Sequence, residues 1–127
     1  MARILIIDDD APLRGVIAEA LKLAGHDVMQ AEDGRQGIEL FKLEPADVVV
    51  TDLIMPGQEG IETIGLLRRD YPKLPIIAIS GGMAHSPLYL DLALRLGAQR
   101  ALCKPFGAAE LLGAIDDVLR PRDPPAG

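Results

Sequence analysis

The sequence contains no tryptophan and only two tyrosines and two phenylalanines. So few rings leave little on which unpaired bases could stack, which argues against a single-stranded nucleic-acid platform. Positive charge is also short: thirteen Lys and Arg stand against nineteen Asp and Glu, a formal charge of −6. Such a surface matches the phosphates of DNA or RNA poorly. The single cysteine, Cys103, cannot form an internal disulfide. No apolar stretch reaches the roughly 18 residues needed to span a bilayer, and the N-terminus lacks the charged, apolar and small-residue order of a signal peptide. Together these absences predict a cytoplasmic protein with no direct nucleic-acid contact and no membrane span.

Hydrophobic residues make up 49% of the chain and charged ones 25%, a balance that favours a folded protein over a disordered one. Its 127 residues suffice for one core but not for two. Arg3 to Ile7 is a continuous aliphatic run, read as a central strand buried on both faces. From Pro12 the period changes: Leu13, Val16, Ile17, Ala20, Leu21 and Ala24 share one helix face, and Gly25 ends it. His26 to Ala31 is a second strand, followed by a turn at Asp33-Gly34 and a helix that stops before Pro45. The β-branched Val48, Val49 and Val50 mark a third strand in "ADVVVTD".

Ile61, Ile64 and Leu67 set a third helix over residues 61–70, and "LPIIAIS" is a fourth strand ending in Ser80. A fourth helix runs through Leu88, Leu92, Ala93 and Leu96 to Gly97, and "RALCK" is a fifth strand. Leu111, Leu112, Ile115, Val118 and Leu119 make a fifth helix. Residues 1–120 are expected to form a single domain, with 121–127, "PRDPPAG", a flexible tail. Five strand-helix alternations with crossovers this long predict an α/β fold, a doubly wound five-stranded parallel sheet.

In a parallel sheet the C-terminal ends of all strands lie along one edge, where ligand sites of open α/β folds form. Strand one ends in Asp8 and Asp9, strand three in Asp52, strand four in Ser80 and strand five in Lys104. Two unit charges about 4 Å apart repel by roughly 4 kcal/mol at an effective dielectric near 20, so three carboxylates require positive charge. Lys104 answers one of them, and a hard divalent cation suits the remainder. Mg2+ favours few carboxylates, several waters and a phosphate oxygen. A carboxylate nucleophile, Mg2+, Ser80 and Lys104 together make the parts of a phosphoryl-transfer site.

Other residues read more plainly. Asp10, before Ala-Pro, is an expected helix N-cap. His26 and His85 have no partner at zinc-ligand spacing. Cys103 is expected to pack inside strand five as a small hydrophobe. There is no Walker loop, and "GGM" is no dinucleotide fingerprint.

The motifs "LIIDDD", "VVVTDLIMPGQEG", "IIAIS" and "CKPF" occur in that order, and through them the chain resembles the receiver domains of two-component response regulators over residues 2 to about 120. The resemblance implies a flavodoxin-like (βα)5 fold with strand order 2-1-3-4-5. It implies that Asp52 is phosphorylated by a sensor histidine kinase or histidine phosphotransfer protein. Asp9 and Asp52 would hold Mg2+ directly, Asp8 largely through water, and the backbone carbonyl of Ile54 would be a further ligand. Lys104 would pair with the phosphoryl group, the Lys104-Pro105 bond would be cis, and Ser80 would turn its hydroxyl toward the phosphoryl group as a switch.

On this resemblance the chain is a signalling domain, not an enzyme beyond its own phosphoryl transfer and dephosphorylation. It would act on an unknown downstream protein through strand five and the flanking helices, with homodimerisation left open. It fits either a stand-alone regulator or a receiver cut from a longer protein. One position departs from the pattern: Ala101 stands where receivers usually carry Tyr or Phe. The loop Gly81 to Pro87 and the helix with Tyr89 are therefore expected to carry the conformational change.

Two other readings compete. An aliphatic strand followed by Asp-x-Asp also resembles the haloacid dehalogenase-like phosphatases, with Asp8 as nucleophile and Asp10 as general acid. Against it, the acidic pair expected after the lysine is found only as Asp116-Asp117 in the last helix, and there is no room for a cap insertion. The third reading is a receiver-shaped module without phosphotransfer.

Overall fold

Strands that are aliphatic along their whole length need cover on both faces, and the computed structural model, which describes residues 2–53, 60–81 and 87–120, provides it. β1 (Arg3–Ile7), β3 (Val48–Asp52) and β4 (Ile76–Ser80) occupy the middle of the sheet, and every residue of β3 and β4 is buried. β2 (Asp27–Ala31) and β5 (Arg100–Cys103) form the edges and are only partly buried. All neighbours pair in parallel, in the order β2-β1-β3-β4-β5. This is the doubly wound sheet expected from the alternation of strands and helices.

Side chains alternate across each strand, so the core divides in two. Ile4, Ile6, Val48, Val50, Ile77 and Ile79 face α1 (Ala11–Leu23) and α5 (Ala108–Leu119). Leu5, Ile7, Val49, Ile76 and Ala78 face α2 (Gly34–Leu43), α3 (Gly60–Asp70) and α4 (Pro87–Leu96). A fully buried aliphatic side chain of this kind is worth roughly 1.5–3 kcal/mol. The three central strands can therefore hold the sheet together while its edge carries charge.

Helix ends follow local chemistry. Asp10 caps α1, its Oδ1 accepting from the Leu13 amide at 3.1 Å, and Asp33 caps α2 by accepting from the Gln36 amide at 2.8 Å. His26 lies before β2 instead of opening it, and its Nδ1 accepts from the Ala2 amide at 3.2 Å.

The α1 face differs from the expectation. Ile17, Ala18 and Leu21 meet the sheet, whereas Val16 is 68% exposed. Adjacent helix positions are about 100° apart, so Val16 and Ala18 cannot both centre on the sheet beside Ile17. In α4, likewise, Ala93 is buried and Leu92 is exposed.

Candidate functional site

Register places the site. Ile7 lies opposite Thr51, Asp52 opposite Ile79 and Ser80 opposite Cys103, so four strands finish at nearly the same level. The Asp8 amide donates to the Ala31 carbonyl at 3.1 Å, extending the β1–β2 ladder by one residue. The Asp8 side chain is wholly buried. Its Oδ1 accepts from the Asp10 amide at 2.9 Å, while Oδ2 has no hydrogen-bond partner among the described residues and faces Lys104 Nζ at 3.2 Å. Asp9 is exposed, and Asp52 is buried at the end of β3.

One carboxylate oxygen from each of Asp8, Asp9 and Asp52 lies within 4.8 Å of the other two. Lys104 Nζ donates to Asp52 Oδ2 at 3.1 Å. Burial works against the charge on Lys104, but the Asp52 and Asp8 carboxylates outweigh it and raise the ammonium pKa above the ordinary lysine value. The lysine is held at its root as well, since its amide donates to the Ser80 carbonyl at 2.6 Å, and the Lys104-Pro105 bond is cis as expected.

This donor set suits a hard, oxygen-seeking cation. It offers three carboxylates, and the buried Asp8 Oδ2 has charge to share and no hydrogen-bond partner among the described residues. Among the described residues no His or Cys joins the three acids in the cluster, which makes it a poor match for zinc.

Asp8, Asp9, Asp52 and Lys104 thus converge as the sequence suggests. Ser80 lies buried at the same edge, but its hydroxyl donates to Cys103 Sγ at 3.8 Å. Cys103 is half-buried, not enclosed as expected, because β5 is an edge strand. Asp10 is committed to its cap. Ala101 pairs with Ala78 and packs against the α2–α4 side of the core. Ile54, His85 and loop residues 82–86 lie outside the described residues, as does the side chain of Tyr89.

Two residues were not singled out by sequence reasoning. Gly60 opens α3, and its amide donates to the Leu53 carbonyl at 3.0 Å. A Cβ there would lie 1.6 Å from the Asp52 carbonyl oxygen, so the helix start presses directly on the backbone of Asp52. A glycine where a helix begins, in place of Ser, Thr or Asp, was the available signal. Arg14 Nη1 donates to the Asp8 carbonyl at 2.6 Å, and its Nε donates to Gln30 Oε1 at 3.2 Å. Its signal was a cation near a helix N-terminus, against the helix dipole.

The family model of the response regulator receiver domain matches residues 4–116. The chain belongs to this family. A response regulator receiver domain protein from Clostridium thermocellum is 29% identical, with a TM-score of 0.87 over 94% of each chain. The chemotaxis protein CheY4 of Vibrio cholerae is 30% identical, with a TM-score of 0.87 over 94% of this receiver and 99% of that chain. The receiver domain of NtrX from Brucella abortus is 26% identical, with a TM-score of 0.86 over 91% of this chain and 97% of the other. The protein is thus a CheY-like response regulator receiver of two-component signalling. No helix among its described residues is long and apolar enough to cross a membrane.

Proposed function

We propose that this receiver accepts a phosphoryl group on Asp52 in a Mg2+-dependent reaction and thereby switches a partner-binding surface. The observation that carries this reading is the convergence of the Asp8, Asp9 and Asp52 oxygens within 4.8 Å, with Lys104 Nζ on Asp52 Oδ2. The donor is a phosphohistidine of a sensor histidine kinase or phosphotransfer protein. An Asp52 carboxylate oxygen attacks phosphorus as the P–N bond breaks, and the imidazole keeps the electron pair and takes a proton. The product is an acyl phosphate.

Asp8, Asp9, Asp52 and the Ile54 carbonyl would hold the Mg2+, which when bound offsets the charge of the incoming phosphoryl group. Lys104 stays within reach of that group's oxygens. Ser80 donates in this structure to sulfur, a weak acceptor, so its hydroxyl can leave for a phosphoryl oxygen at small cost. The output is binding of a downstream protein in the cytoplasm, by a domain that ends near residue 120. Asp10, as the α1 cap, is occupied elsewhere and ill placed to be the general acid of a phosphatase.

The test is labelling of the wild type and Asp52→Asn by acetyl phosphate with and without Mg2+. Intact mass and borohydride trapping would locate the phosphoryl group. Labelling of Asp52 that requires Mg2+ is expected. Equal labelling of both proteins overturns the assignment, trapping at Asp8 supports the phosphatase, and no labelling supports a module without phosphotransfer.

A further inference from the structure

The Asp8 carbonyl lies beyond the last residue of β1, past the end of its ladders with β2 and β3. Arg14, one turn into α1, reaches back to it: helical side chains lean toward the helix N-terminus, and Nη1 meets that oxygen at 2.6 Å. The guanidinium is braced in turn, because Nε donates to Gln30 Oε1 on β2. Gln30 pairs with Ile6 in the sheet, so the brace stands on the same strand pair that delivers Asp8.

We propose that Arg14, braced by Gln30, is a positioning residue that fixes the peptide joining Asp8 to Asp9 and so pre-sets their carboxylates for a divalent cation. The inference rests on the reading of the acidic cluster as a Mg2+ site. The physical need is clear. Asp8, Asp9 and Asp10 are consecutive, and their mutual repulsion favours spreading them apart unless the backbone between them is held. A rigid fork anchored at two points holds a carbonyl in place better than a single ammonium does. Preorganised ligands bind more tightly because less order is lost on binding.

Arg14 also carries positive charge, which by itself would disfavour a cation. Geometry and charge therefore act in opposite directions and can be separated. Arg14→Lys retains the charge and loses the fork. Gln30→Leu retains the whole arginine and removes the brace at an exposed edge-strand position.

Mg2+ would be titrated by calorimetry into full-length wild type, Arg14→Lys, Gln30→Leu and Asp9→Asn. Thermal midpoints and amide exchange at Asp9 and Asp10 would be measured on the metal-free proteins. Outer-shell partners of metal ligands are worth about 10–100-fold in affinity, and one acting through a backbone carbonyl belongs at the low end. The expected result is about tenfold weaker Mg2+ binding in Arg14→Lys and about threefold in Gln30→Leu. Exchange at Asp9 and Asp10 should be faster in both, with thermal midpoints close to wild type.

Wild-type affinity in both variants, with binding abolished in Asp9→Asn, overturns the positioning role and leaves the metal site standing. Absence of Mg2+ binding by the wild type overturns the metal reading, and the positioning role falls with it. If Arg14→Lys does not fold, Gln30→Leu alone decides.

Discussion

Lys104 Nζ lies 3.1 Å from Asp52 Oδ2, joining two residues 52 positions apart at the end of the sheet. The pair raises the lysine pKa despite its partial burial, so the folded protein binds that proton more tightly than the unfolded chain does. The resulting stability is fully present below the ordinary lysine value of 10.5 and is lost as pH rises through the higher folded value. The stability gap between wild type and Lys104→Met should therefore be flat from about pH 6 to 9 and shrink above about pH 10.5. Urea denaturation over that range measures it, and a gap that closes near neutrality contradicts the assignment.

The same lysine should trade places with metal. In Lys104→Met the wholly buried Asp8 and the buried Asp52 lose their cation. Breaking a buried pair costs about 3–5 kcal/mol, and the partial exposure of this lysine brings the expected loss to about 1–3 kcal/mol. Mg2+ at a hundred times its Kd would stabilise by about 2.7 kcal/mol, so it should restore much of the thermal midpoint, and chelator should remove it again. Midpoints of both proteins that ignore Mg2+ would show that the three carboxylates are not a cation site.

Asp8, Asp9, Asp52 and Lys104 were legible in the sequence because each ends or follows a short aliphatic run, and a parallel sheet brings such ends to one edge. What could not be read was anything set by contact across chain-distant segments. The period of α1 defines a stripe but not its centre, which is why Val16 turned outward and Ala18 inward. The half-exposure of Cys103 depends on β5 lying at the edge. Gly60 and Arg14 act on the backbone carbonyls of Asp52 and Asp8, and no spacing rule expresses a contact with a carbonyl.

Gly60 gives a sharp contrast with another helical glycine. In Gly60→Ala the new Cβ would fall 1.6 Å from the Asp52 carbonyl oxygen, so the start of α3 or the end of β3 must move. Overpacking of this kind costs about 1–3 kcal/mol or more, and it should suppress labelling of Asp52 beyond what the stability loss explains. Gly15→Ala on α1 meets nothing within 4 Å among the described residues and should instead gain about 0.5–1 kcal/mol. Urea midpoints and acetyl phosphate labelling of both variants check this. Normal labelling of a folded Gly60→Ala would show that the close approach does not govern the site.

Arg68 is a clamp at the opposite edge of the sheet, where β4 and β5 begin. Its guanidinium donates to the carbonyls of Tyr71, Pro72, Leu74 and Gly97 at 2.6–3.1 Å, tying the end of α3 to the turn after α4. Burial lowers its pKa from the ordinary arginine value. Hydrogen bonds to charged groups are worth about 1.5–3 kcal/mol each but are not additive, so Arg68→Met should lose about 2–4 kcal/mol. Arg68→Lys should recover little of it, because an ammonium cannot span four carbonyls. A urea midpoint for Arg68→Lys equal to wild type would place the stabilisation in the charge and not in the fork.

The weak contact between the Ser80 hydroxyl and Cys103 Sγ makes the single cysteine a reporter on the proposed switch. The hydroxyl lies against the sulfur, and the half-buried thiol is within reach of a small alkylating reagent. When Ser80 turns to a phosphoryl group on Asp52, Cys103 loses that contact and its alkylation rate should change by about two- to fivefold, the weight of one weak hydrogen bond. The phosphoryl group itself also alters the rate, but it does so equally in Ser80→Ala, where there is no hydroxyl to leave. The informative quantity is therefore the extra change in wild type over Ser80→Ala, measured with iodoacetamide before and after treatment with acetyl phosphate and Mg2+. If the two rates change by the same factor, Ser80 does not leave Cys103 and the hydroxyl is not the moving part.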